Sequence, residues 1–167
     1  MVNTLYLKRK IDLFLAEWKN SSERMPLIIN GAGQIGKTES VLHFAAANYK
    51  QIVYINFALE PKLKNIIRNG YSVEDIVNQI SFIDPGMRFV PNSTLIVFDE
   101  LQDCPDIATS LKSFKQDGRF DVICTGSLFG LHYKKIHSNR VGYKQDYDMY
   151  SMPYYCAFLM KRYLQYR

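Results

Sequence analysis

At 167 residues, with 47% hydrophobic and 22% charged side chains, the chain can bury one sizeable core and is too apolar to be disordered. No apolar run approaches the ~18 residues of a membrane helix, the N-terminus lacks the order of a signal peptide, and the three scattered cysteines, Cys104, Cys124 and Cys156, form no disulfide framework, so a cytoplasmic protein without membrane contact is expected. The net charge of +5 lies wholly in residues 132–167, which hold seven Lys and Arg against two acids; this reads either as a solvated basic tail or as a surface for DNA or a protein partner.

Residues 5–19 place Leu5, Leu7, Ile11, Leu13, Phe14, Leu15 and Trp18 at mostly helical spacing, which predicts an amphipathic helix. After the polar link Asn20-Ser-Ser-Glu-Arg, Pro26 opens a first strand, Leu27–Asn30. A glycine-rich turn leads to a helix over Lys37–Asn48 that buries Val41, Leu42, Phe44 and Ala45. A second strand, Gln51–Phe57, is rich in Ile, Val and Tyr. Pro61–Arg68 reads as helical, and Val73–Phe82 as a helix capped by Ser72, with Glu74 and Asp75 in its first turn. Asp84-Pro-Gly is a turn. Strand three is Thr94–Phe98. A helix from Pro105 ends near Asp117-Gly118, and strand four is Phe120–Thr125. Residues 128–144 read as irregular or weakly helical, Asp146–Met152 as strand five, and Pro153–Gln165 as a last helix. Strands alternating with helices predict an α/β fold of three layers, a mostly parallel sheet covered on both faces. No linker or repeat divides the chain, so a single domain over 1–167 is expected.

Leu27-Ile-Ile-Asn-Gly31-Ala-Gly-Gln-Ile-Gly36-Lys37-Thr38 is a strand, a glycine turn and a helix start. It matches G-x-x-x-x-G-K-[ST], the P-loop pattern. Glycines at 31, 33 and 36 let main-chain N–H groups approach a phosphate, and the helix behind them aims its positive end at the anion. The expected cradle is Gly31, Ala32, Gly33, Gln34, Ile35, Gly36, Lys37, Thr38 and Glu39. Lys37 would meet the outer phosphates and Thr38 a Mg²⁺ ion. The same letters hold G-x-G-x-x-G, the dinucleotide fingerprint. That motif wants an acid at the end of the second strand, where this chain has Asn56 and Phe57, and it has no use for Lys37-Thr38. A phosphate-binding loop is the reading kept. His43, His132 and His137 have no zinc spacing with the cysteines.

Thr94-Leu-Ile-Val-Phe-Asp99-Glu100 is an apolar run ending on two carboxylates. At the carboxyl end of a parallel sheet they would face the ligand crevice. Asp99 would hold Mg²⁺ through its water shell, and Glu100 would orient or deprotonate the attacking water. Strand four ends on Cys124-Thr125-Gly-Ser127, where Thr125 or Ser127 could sense the γ-phosphate, Ser127 being preferred, or serve only as a turn residue.

With these letters the chain resembles prokaryotic AAA+-type P-loop ATPases, in which an N-terminal ATPase domain precedes a C-terminal domain of unclear role. The matching stretches are Pro26 to Thr38, Leu95-Ile-Val-Phe-Asp-Glu-Leu-Gln102 and Thr125-Gly-Ser-Leu. The resemblance implies strand order 5-1-4-3-2, ATP and Mg²⁺ as cofactors, and hydrolysis, with the roles of lysine, threonine, both acids and sensor on Lys37, Thr38, Asp99, Glu100 and Ser127. Members of that family usually continue into a further domain, which is expected to be absent here, and oligomerisation is possible. The chain departs from the family in lacking an acidic E-F-L after strand five and in having Gly142-Tyr143 where many members have Gly-Arg; Arg140 and Lys144 are the nearest cations, and the arginine finger stays unassigned. Such a cation can be worth about 10³–10⁵ in rate, so slow turnover is expected. The other readings are an ATP-binding switch whose basic C-terminal part engages DNA or a protein, and a small P-loop kinase. No motif marks the base pocket; Leu5–Arg9 is its expected position.

Overall fold

Four apolar runs and a polar edge strand line up side by side in the computed structural model, which describes residues 6–127 and 142–151. The elements in order are α1 (Lys10–Asn20), β1 (Leu27–Gly31), α2 (Lys37–Asn48), β2 (Gln51–Asn56), α3 (Val73–Ile83), β3 (Thr94–Asp99), α4 (Leu111–Asp117), β4 (Asp121–Ser127) and β5 (Gln145–Asp148). Short 3₁₀ turns cover Pro61–Ile67, Leu101–Asp103 and Pro105–Ser110. The sheet order is β2-β3-β4-β1-β5 and every adjacent pair is parallel. This is the expected 5-1-4-3-2 order read from the other edge.

Alternation along the buried strands splits the core in two. Ile28, Val53, Ile55, Ile96, Phe98, Val122 and Cys124 pack with α3, α4 and the 3₁₀ turns. Leu27, Ile29, Leu95, Val97 and Ile123 pack with Ile11, Leu15 and Trp18 of α1 and Val41, Phe44 and Ala45 of α2. Both faces are covered, as parallel sheets require.

The structure differs from the sequence expectations at six points. Helix α1 begins at Lys10, not residue 5, because Asp12 folds back on the Arg9 N–H (2.5 Å) and fixes the first turn there. Leu13 is 71% exposed, since Ile11, Leu15 and Trp18 form the buried stripe. Leu42 is only half-buried. The helical reading at Pro61–Arg68 and the start of the one at Pro105 are 3₁₀, tightened behind a proline at the first turn. Strand β4 runs two residues further than expected, to Ser127, where it faces Gly31. Strand β5 is shorter, although the Met149 N–H still reaches Asn30 O at 2.8 Å. The expected helix at 153–165 and most of the stretch 128–144 lie outside the described residues. Among the described residues no helix is long and apolar enough to cross a membrane.

Candidate functional site

Strands β1, β3 and β4 end together at the carboxyl edge of the sheet, and β1 turns at once into α2. The turn needs Gly31, because a Cβ there would lie 2.5 Å from Met149 O. Gln34 and Gly36 take positive φ, 60° and 84°, to wind the chain into the helix. Among the described residues no protein acceptor is found for the main-chain N–H groups of 33–39. These donors and the start of α2 make a nest of positive partial charge.

Lys37 is buried behind that nest, with Nζ donating to Gly31 O (3.1 Å) and Ala32 O (2.7 Å). Burial lowers its pKa below the usual lysine value, against the pull of Glu100 and Asp99. The Arg9 guanidinium spans the loop from outside, donating to Ile35 O and, at 2.8 Å, to Tyr150 O. A cleft of about 250 Å³ opens beside it, lined by Tyr6, Leu7, Arg9, Gln34, Ile35, Gly36, Glu39 and Ser40.

Asp99, 3% exposed at the end of β3, gathers the second half of the site. The Thr38 hydroxyl lies 3.1 Å from both of its oxygens. The Asp99 carboxylate also accepts from Tyr54 Oη (2.6 Å), Asn56 Nδ2 (3.1 Å), the Glu100 N–H (3.1 Å) and Thr125 Oγ1. A carboxylate so far from water requires this many donors. Burial and the bond to Asp99 push the Tyr54 hydroxyl up to about 12, so it stays a donor at neutral pH. Asn56 Oδ1 accepts the Ala58 and Leu59 N–H groups at 3.0 Å each, which fixes the amide's orientation.

Glu100 follows in the left-handed region, φ 57°. Its carboxylate accepts from Gln102 Nε2, and Gln102 Oε1 accepts the Ser127 N–H at 3.0 Å. The structure thus brings Lys37, Thr38, Asp99 and Glu100 to one edge. Of the two hydroxyls at the end of β4, Thr125 contacts Asp99, whereas Ser127 is tied through its main chain. Tyr54, Asn56 and Gln102 received no role from sequence. A signal existed for the first two: β2 pairs with β3 so that Asn56 sits opposite Asp99, and alternation puts Tyr54 on the same face.

A parallel sheet of this order, with a glycine turn between its first strand and helix and an acid ending β3, defines the P-loop nucleotide-binding class. Residues 23–155 match the AAA domain family, and the chain belongs to it; its class is that of nucleotide-binding ATPases. No curated protein matches the chain. Among solved structures, a DNA replication initiation factor is similar at TM-score 0.52 and 11% identity, over 97% of this chain and 53% of that one. C. elegans PCH-2 is similar at TM-score 0.48 and 14% identity, over 85% of this chain and 42% of that one. The flagellar accessory protein FlaH from Methanocaldococcus jannaschii is similar at 0.45 and 13%, over 74% and 70%. The chain spans about half the length of the first two or less. The first of these is a likeness of fold alone.

Proposed function

We propose that the domain binds ATP with Mg²⁺ and hydrolyses the β–γ phosphoanhydride. The observation that carries this reading is the run of N–H groups at 33–39 with no protein acceptor among the described residues, set around a buried lysine and next to two carboxylates. A triphosphate would satisfy those donors and draw the Lys37 ammonium from the Gly31 and Ala32 carbonyls to its outer oxygens. The base would lie in the cleft between Tyr6–Arg9 and Ile35–Ser40.

Thr38 Oγ1 and the Asp99 carboxylate, 3.1 Å apart, are hard oxygen donors that fit Mg²⁺. Among the described residues no cluster of three or more His, Cys, Asp and Glu could hold a metal alone, which suits an ion completed by phosphate oxygens and water. When bound, that ion supplies charge neutralisation on the β- and γ-oxygens. Glu100 orients the attacking water and takes its proton as the water oxygen bonds to the γ-phosphorus and the bridging oxygen leaves with ADP. Thr125 keeps Asp99 in place, and Ser127 stands at the strand end nearest the γ-phosphate.

The test is a pair of variants. Lys37→Ala is expected to lose ATP binding in calorimetry. Glu100→Gln is expected to bind ATP like the parent but to release no phosphate. Equal ATP affinity in parent and Lys37→Ala would refute the site. Tight binding with no phosphate release above the Glu100→Gln level would leave a nucleotide-binding switch.

A further inference from the structure

Gln102 lies in the string Asp99-Glu100-Leu101-Gln102, yet neither phosphate nor metal binding needs it. Its amide has two ends with different chemistry. Nε2 donates to the Glu100 carboxylate, and Oε1 accepts the Ser127 N–H at 3.0 Å. A carboxylate can only accept and an N–H can only donate, so the bridge requires one donor and one acceptor on the same side chain. Glutamate would lose the donor, leucine both. The root of the bridge is rigid. Asp103 N–H closes a 3₁₀ turn on Glu100 O at 2.8 Å, and Leu101 is fully buried between them. Glu100 itself is held at φ 57°, a conformation uncommon for a residue with a side chain.

We propose that Gln102 is a positioning residue that fixes the Glu100 carboxylate relative to the end of β4. The proposal rests on the hydrolytic reading above for its catalytic consequence, but not for its geometry. Strand β4 carries Thr125, which bonds Asp99, and Ser127, which faces Gly31 of the phosphate loop. One amide therefore ties the base that handles water to the strand that flanks the γ-phosphate.

Two measurements on the full chain test this. Gln102→Leu and Gln102→Glu should lower kcat for phosphate release by about 10²-fold, the effect of a base displaced by ~1 Å, while KM for ATP stays within about threefold, as the phosphate cradle is untouched. Amide hydrogen exchange at Ser127, followed by NMR, reads the tether without turnover. Gln102→Leu should speed it roughly tenfold, the loss of one hydrogen bond of ordinary strength. Glu100→Ala should also speed it, but not when added to Gln102→Leu, because the coupling runs through the amide. A Gln102→Leu enzyme with kcat within about twofold of the parent would overturn the proposal, and so would a Ser127 amide that ignores Glu100→Ala. A parent with no turnover above Lys37→Ala defeats the hydrolytic reading alone, and the exchange data then decide the tether.

Discussion

Of two glycines in the phosphate loop, the fold requires one and not the other. At Gly31 a Cβ would sit 2.5 Å from Met149 O and 2.7 Å from Ile35 Cδ1. The isoleucine tip can swing away. The Met149 carbonyl cannot, because Met149 N–H is bonded to Asn30 O at 2.8 Å. Gly31→Ala is therefore expected to push β5 from β1 and cost about 1–3 kcal/mol in urea denaturation. At Gly33 a Cβ would meet nothing, and φ is not positive. Gly33→Ala should stay within about 0.5 kcal/mol of the parent in the same experiment. A Gly33→Ala loss as large as that at Gly31 would contradict this account. The close approach at Gly31 comes from a strand far along the chain, so no window of sequence around it could have told the two glycines apart.

Among the elements, α3 owes its start to a single side chain. Ser72 Oγ accepts the Asp75 N–H at 3.1 Å, and the Asp75 carboxylate accepts from the hydroxyl in return at 2.5 Å. Ser72→Ala should cost about 1 kcal/mol and Ser72→Thr much less, by chemical denaturation; equal losses would deny the cap. This cap was legible because it is local: Ser72, Glu74 and Asp75 lie in one turn. For the same reason α2 falls on Lys37–Asn48 as expected, between its loop and a β-rich run. The start of α1 was not legible. Leu5 and Leu7 alternate with period two, and the segment 6–9 takes no regular structure, held by Arg9 across 26 positions to Ile35 O. Apolar spacing also cannot separate 3₁₀ from α, since that choice is a shift of one residue in hydrogen bonding. The site divides in the same way. Lys37, Thr38, Asp99 and Glu100 could be read because each sits in a contiguous string. Tyr54, Asn56 and Gln102 take their meaning from partners 45, 43 and 25 positions away. Strand order brings those partners together, and spacing does not.

Across the whole molecule, the end of the sheet opposite the site is pinned by one carboxylate. Asp121, at the start of β4, accepts from Arg24 Nε (2.7 Å), Tyr49 Oη (2.6 Å) and Lys19 Nζ (3.1 Å). The three donors come from the link before β1, the residue closing α2, and α1, so Asp121 joins every segment that covers this face. Lys19 adds a contact over the Tyr49 ring, 3.7 Å from its centroid. Burial pushes the Asp121 carboxyl up, but the bonds from Arg24, Tyr49 and Lys19 outweigh it and hold the group below the usual aspartate value. A depressed carboxylate stabilises the fold at pH values above the unfolded pKa of about 3.9, and the contribution fades as pH falls through the folded value. Asp121→Asn leaves two cations and a hydroxyl facing a neutral amide. With the side chain 17% exposed, the loss at pH 7 should be about 3 kcal/mol, at the low end for breaking a buried pair. Urea denaturation at pH 7 and again near pH 3 checks the sign: the gap between parent and variant should narrow in acid as the parent's own carboxylate takes up a proton. A gap that is constant between the two would mean that Asp121 acts by shape and not by charge. Because the other end of β4 carries Thr125 and Ser127, loosening Asp121 frees the strand that reaches the site, so Asp121→Asn should also speed exchange at the Ser127 amide more than at the amides of β2.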